Sequence, residues 1–143
     1  GTHRPEWFHR KLGDILYEGC GVARDEAGLL DALTKARELR EEFWRDVKVV
    51  GTGNRLNQEL EKAGRVADFI ELGEVMILDA LDRRESAGAH FRNEYATEAG
   101  EAKRNDGDWC AVSAWETRPD GTKVRHSEPL SFSLIDLQVR DYR

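Results

Sequence analysis

The sequence predicts a mainly α chain: a three-helix up-down-up bundle followed by a small β-hairpin and an extended tail. Three observations carry this reading. Apolar residues recur at steps of three and four over the first two thirds. Glycine-containing breaks at 19–21 and 51–53 interrupt that rhythm twice, and short connections favour an up-down-up order. After Gly88 the texture changes, and Asp120-Gly121 is a strong hairpin signal. The boundary is placed after Arg92, with the bundle over 1–92 and loop, hairpin and tail over 93–143. Together they are expected to form one compact domain.

The first helix is expected over about 5–17. Pro5 suits a first turn, where its missing N–H costs nothing, and Trp7, Phe8, Leu12, Ile15 and Leu16 share helical spacing. Gly19-Cys20-Gly21 then stops it, because glycine is a poor helix former and takes positive φ easily. Asp25 is a good cap for a second helix, with Glu26 favourable near the positive end of the dipole. Leu29, Leu33, Ala36, Phe43 and Val47 form its seam. Arg40 fills the missing seam position, its stem covering apolar surface while its head reaches water.

A third helix is expected from about 54 to about 84, roughly 45 Å long at ~1.5 Å per residue. It carries one stripe through Leu56, Leu60, Ala63, Ala67, Ile70, Ile77 and Leu81. An adjacent stripe runs through Val66, Phe69, Gly73, Met76 and Ala80, so two faces ask for neighbours. Residues 93–108 read as an exposed loop. A strand follows over 109–117, its return over 122–127, then an interruption at Pro129 and one further extended segment over 130–139. Both faces of the first strand are apolar. Either the helices cover it, or something outside the chain does.

Composition bounds the chemistry. The chain has 143 residues, enough for one domain with a real core. Charged residues make up 35% and hydrophobic ones 39%, and no apolar run approaches the length of a membrane span. No secretory leader is visible. With 22 basic and 28 acidic residues the net charge is −6, which argues against general nucleic-acid binding. Cys20 and Cys110 supply neither a disulfide framework nor a zinc set and are expected to be ordinary thiols. His3 and His9 are six residues apart, so they do not share a helical face as a metal pair would. Gly51-Thr52-Gly53 lacks the third glycine of a dinucleotide loop, and Gly19-Cys20-Gly21 has the same failing. No catalytic, cofactor-binding or metal-binding residue is assigned. The chain opens on Gly1, not Met, and reads as a piece of a longer protein.

Certain residues, taken in order, carry a resemblance. Asn57-Gln58-Glu59-Leu60 leads into the long helix through Phe69-Ile70-Glu71-Leu72 and Met76-Ile77-Leu78-Asp79-Ala80-Leu81. The helix runs out into Arg84-Glu85-Ser86-Ala87-Gly88-Ala89-His90-Phe91-Arg92. Asp106-Gly107-Asp108-Trp109 and Ala114-Trp115-Glu116 follow. This pattern resembles the C-terminal domain of the flavoprotein subunit of succinate dehydrogenase and fumarate reductase. His126-x-Glu128-Pro129-Leu130-x-Phe132 and Arg140-x-Tyr142 are similar to the tail of succinate dehydrogenases paired with a single di-haem membrane anchor. L-aspartate oxidase carries a related helical domain. Ala87 departs from the pattern, since many relatives carry arginine there, and this argues against the oxidase.

The resemblance implies a spectrin-repeat-like bundle with a small extended subdomain. It implies a parent protein that interconverts succinate and fumarate on a covalently held FAD, with electrons passing through an iron–sulfur subunit to quinone. The parent's flavin-linking and substrate-binding residues lie in earlier domains, so no FAD is expected in this chain. The implied partners are the flavin and capping domains, the iron–sulfur subunit and, indirectly, the membrane anchor. The implied place is peripheral, on the cytoplasmic side of the inner membrane. Arg84, Glu85, His90 and Arg92 are the candidate docking residues. The competing use of His90 and Arg92 is local: a histidine bound to a helix-end carbonyl and an arginine paired with a nearby carboxylate. Two other assignments stay open: the equivalent domain of fumarate reductase or L-aspartate oxidase, and a stand-alone helical interaction module.

Overall fold

A computed structural model describes residues 1–138; Arg140 and Tyr142 of the tail motif lie outside the described residues. The first compact unit is Gly1–Arg104 and the second begins at Asn105.

In the first unit, α1 spans Pro5–Gly19, β1 Ala23–Arg24, α2 Glu26–Asp46 and α3 Gln58–Asp82. The caps explain the boundaries. Asp25 accepts the Gly28 N–H at 2.8 Å and so closes the first turn of α2. Asn57 accepts the N–H groups of Glu59 and Leu60 at 3.1 and 3.2 Å, which starts α3 later than the expected 54. With 25 residues, α3 is roughly 37 Å long at ~1.5 Å per residue, not 45.

Each helix packs on the other two. Phe8, Leu12, Leu39, Phe43, Ala63, Val66 and Ile70 form one core cluster. Leu29, Leu33, Ala36, Ile77 and Ala80 belong to the other, and Ile15 and Leu16 join both. Early α1 therefore meets late α2 and early α3, while late α1 meets early α2 and late α3. That is the up-down-up order. Each large side chain fully buried here contributes about 1.5–3 kcal/mol. At the chain start, His3 stacks on Trp7 at 4.1 Å and binds Asp46 at 2.7 Å. Hydrogen bonds from His3 and Thr2 pull the Asp46 carboxyl down to about 2.

Several expectations are corrected. α3 buries one broad stripe of Ala63, Val66, Ile70, Gly73, Glu74, Ile77 and Ala80. Leu56 precedes the helix and is 90% exposed, while Leu60, Phe69 and Met76 remain largely exposed. The head of Arg40 does not simply reach water. It binds the carboxylate of Glu74, a residue only 3% exposed, which also takes Arg37 at 2.8 Å. Neither Gly19 nor Gly21 adopts positive φ. Gly19 is needed for another reason: a Cβ there would lie 2.6 Å from Cβ of Ala32 and 2.9 Å from the Gly28 carbonyl. The end of α1 crosses the start of α2 at glycine contact distance. Gly19→Ala should therefore destabilise the unit by about 1–3 kcal/mol, measured by urea unfolding; an unchanged midpoint contradicts the close crossing.

The unit closes with β2 (Phe91–Arg92), which pairs in parallel with β1, and a 3-10 turn over Asn93–Tyr95. This two-residue pair was not expected. It is too short for periodicity to reveal. Residues 93–104 also turn back, with Ser86 N–H donating to Lys103 O at 2.9 Å.

In the second unit, α4 is one helical turn over Asp106–Trp109, followed by β3 (Ala111–Thr117) and β4 (Lys123–Pro129) in antiparallel register. The expected hairpin is present, with Asp120 accepting the Thr122 N–H at 2.9 Å. Trp109 belongs to the turn and not to the strand, where Arg125 lies over its ring at 5.0 Å. Pro129 does not interrupt between strands. It ends β4, where its missing N–H is harmless, and Leu130 N–H pairs with Cys110 O at 2.9 Å. The expected extended segment after Pro129 forms no strand over 130–138, and Leu134 and Ile135 are exposed. On β3, Ala111, Ser113 and Trp115 are half-buried, while Val112 and Ala114 are exposed.

Candidate functional site

The segment that carries the strongest motif, Glu85-Ser86-x-Gly88-Ala89-His90-x-Arg92, leaves the C-terminus of α3. A helix end exposes carbonyls without intrahelical partners. Arg92 supplies the missing donors. It is 2% exposed, and its Nη1 donates to Ala80 O at 2.8 Å and Leu81 O at 3.2 Å. Its Nε donates to Glu94 at 3.1 Å. A guanidinium is well suited to this, because its forked donors reach two carbonyls and a carboxylate at once.

The loop is fixed by its own polar groups. Ser86, fully buried, accepts the Arg92 N–H at 2.9 Å and donates to Arg92 O at 3.2 Å. Ala87 and His90 exchange backbone hydrogen bonds of 2.8 and 3.1 Å across a tight turn. That turn needs Gly88, whose φ is +60°. Glu85 is 2% exposed and binds Arg83 at 2.6 Å. Glu94 also accepts the Glu26 N–H of α2. Burial raises the Glu94 carboxyl, but the Glu26 N–H and Arg92 outweigh it, and the net shift is downward.

His90 is half-buried between two elements. Its Nε2 lies 3.0 Å from Arg83 O, and its Nδ1 lies 3.3 Å from Arg24 Nη1. Burial pushes its pKa down against the bond to the Arg83 carbonyl, and Arg24, Arg83 and Arg92 push it further down. Arg84, by contrast, is exposed. The four candidate docking residues thus occupy one loop in different environments: Arg84 outward, His90 half-covered, Glu85 and Arg92 inside. The residues that sequence reasoning missed are Arg24, Glu74 and Ser86. The short β1 and one buried glutamate on an otherwise ordinary helix gave no periodic signal. Ser86 stood in the quoted motif without an assigned role.

Elsewhere, an apolar groove of about 220 Å³ lies between α1 and α3, lined by Leu12, Leu16, Phe69, Leu72 and Met76 among others. Cys20 and Cys110 are free, and burial pushes the Cys20 thiol up. Among the described residues, no group of three His, Cys, Asp or Glu is placed to hold a metal ion. No helix among them is long and apolar enough to cross a membrane.

The fold and this loop define a helical bundle whose buried charges tie its own elements together. Comparison with known proteins places it more closely. Residues 9–142 match the family model described as the fumarate reductase flavoprotein C-terminus. The chain is 28% identical over 143 residues to the succinate dehydrogenase flavoprotein subunit of Bacillus subtilis, covering 99% of this chain and 23% of that protein. It is 33% identical over 92 residues to the fumarate reductase flavoprotein subunit of a Serratia species, covering 64% of this chain and 15% of that one. A quinol fumarate reductase structure from E. coli superposes with a TM-score of 0.81 at 24% identity, over 95% of this chain and 22% of that one. Mycobacterium smegmatis Sdh1 in complex with UQ1 superposes at 0.72 and 23% identity, over 92% and 21%. These superpositions establish the fold. The chain belongs to the succinate dehydrogenase and fumarate reductase flavoprotein family, as its C-terminal domain. It spans less than a quarter of the length of these relatives.

Proposed function

We propose that this chain is the non-catalytic C-terminal domain of a succinate dehydrogenase flavoprotein. The observation that carries this reading is the match to the Bacillus subtilis succinate dehydrogenase flavoprotein subunit over 99% of the chain. In that reading the bundle packs against the flavin and capping domains of its parent, which holds FAD. The Arg84–Arg92 loop is the docking element: Arg84 and His90 face the neighbour, and Glu85 and Arg92 hold the loop in shape. The parent oxidises succinate to fumarate and hands electrons to an iron–sulfur subunit, with a single di-haem chain as membrane anchor. The subunit sits peripherally on the cytoplasmic side of the inner membrane.

A fumarate reductase is the second reading, supported by matches to fumarate reductase flavoprotein subunits from Serratia and Helicobacter pylori. Reading the gene upstream of Gly1 and its neighbours tests both. A continuous frame encoding a dinucleotide-binding loop, beside genes for an iron–sulfur subunit and a membrane anchor, is the expected result. A start codon at or near Gly1 contradicts the reading and favours a free-standing helical module.

A further inference from the structure

We infer that His90 and Arg24 form a proton-sensitive clasp, which holds the connection between α1 and α2 onto the loop after α3 and opens on mild acidification. The clasp and the β1–β2 pair share their residues. Arg24 ends β1 opposite Arg92, and His90 directly precedes Phe91, which pairs with Ala23. Two residues of parallel strand give little cohesion, so the Arg24–His90 contact adds to the pair, beside the Glu94 carboxylate that accepts the Glu26 N–H.

The geometry fixes the state of the ring. Nε2 faces the Arg83 carbonyl at 3.0 Å, which only an N–H satisfies. Nδ1 faces a guanidinium N–H at 3.3 Å, and a guanidinium has no lone pair to offer, so Nδ1 accepts. A second proton has one place to go, and it sets two donors face to face. The charged groups around the ring are Arg24 from β1, Arg83 from the end of α3 and Arg92 from β2. The carboxylates on the same stretch are engaged elsewhere, Glu85 with Arg83 and Glu94 with Arg92. A protonated His90 would therefore be a fourth cation. Burial and these arginines hold its pKa below the ordinary 6.5, which agrees with the geometry.

The sign follows. The folded value is depressed, so the contribution to stability is present above the unfolded value of 6.5 and is lost as pH falls toward the folded one. Opening takes up at most one proton in that window, so the open population grows by no more than about tenfold per pH unit and levels off below the folded value. This inference concerns the chain itself and does not depend on the activity of the parent.

The test is a pH titration of the 143-residue chain by nuclear magnetic resonance. The ring signals of its histidines are followed together with amide exchange at Ala23, Arg24 and Phe91, the Arg92 amide being held by Ser86 within the loop. His90 should titrate below 6.5, and protection of those three amides, corrected for intrinsic exchange, should fall between pH 6.5 and the His90 midpoint, by no more than about tenfold per pH unit, and then level off. In Arg24→Gln the His90 midpoint should move up and the loss of protection should begin nearer to it. Titration of His90 at 6.5 or above overturns the clasp. So does unchanged protection while His90 titrates, or an Arg24→Gln midpoint equal to that of the parent chain.

Discussion

Replacing Arg92 with leucine should destabilise the bundle by about 3 kcal/mol, because it leaves buried acceptors without donors. The carbonyls of Ala80 and Leu81 lose their side-chain partner, and Glu94 loses its cation. Leucine fills part of the volume, so the loss is mainly polar and not a cavity effect. For a unit of this size such a loss lowers Tm by roughly 15 °C. Arg92→Lys is the informative companion. Its single ammonium reaches one of these acceptors but cannot reproduce the fork, so it should recover less than half of the loss. Thermal unfolding followed by circular dichroism gives both values. Equal stability of all three proteins would mean that Arg92 is not the cap of α3.

The second large effect lies at the α2–α3 interface. Glu74 presents a buried carboxylate, and Arg37 and Arg40 reach it from α2 while staying partly in water. The arrangement is asymmetric. Removing the glutamate leaves two arginines that can still be hydrated. Removing both arginines leaves a buried charge with nothing to offset it, which costs about 3–5 kcal/mol. Arg37→Leu with Arg40→Leu should therefore unfold at far lower urea than Glu74→Leu alone. Adding Glu74→Leu to the double variant should restore most of the loss, since the charge that suffered is gone. If the triple variant is as unstable as the double, the loss comes from the arginine stems and not from the ion pairs.

These two residues also show what the sequence could and could not reveal. Helix positions were legible because the buried residues Phe8, Leu12, Leu29, Leu33, Ile70 and Ile77 repeat at helical spacing. The Asp25 cap was legible because a capping side chain acts on its immediate neighbours. Glu74 was not, because a glutamate on a helix is usually solvated, and only the approach of two arginines from another helix gives it a buried place. Arg92 was half-legible. Its position after a helix end suggested a local role, and its sequence motif suggested docking. Its burial comes from carbonyls ten and more residues earlier, which no local pattern encodes. Gly19 was recognised as a boundary for the wrong reason, since its use is a close crossing with Ala32 and not a left-handed turn. The hairpin turn at Asp120-Gly121 was fully local, and it forms as expected.

The proposed function makes this chain a domain without redox activity of its own, dependent on the flavin-bearing part of a larger protein. The most direct measurement is made on the purified 143-residue chain supplied with FAD and succinate, reading visible flavin absorption after gel filtration and succinate-dependent dye reduction. The account predicts a folded, colourless protein with no turnover. A yellow protein that reduces the dye when succinate is added would contradict it.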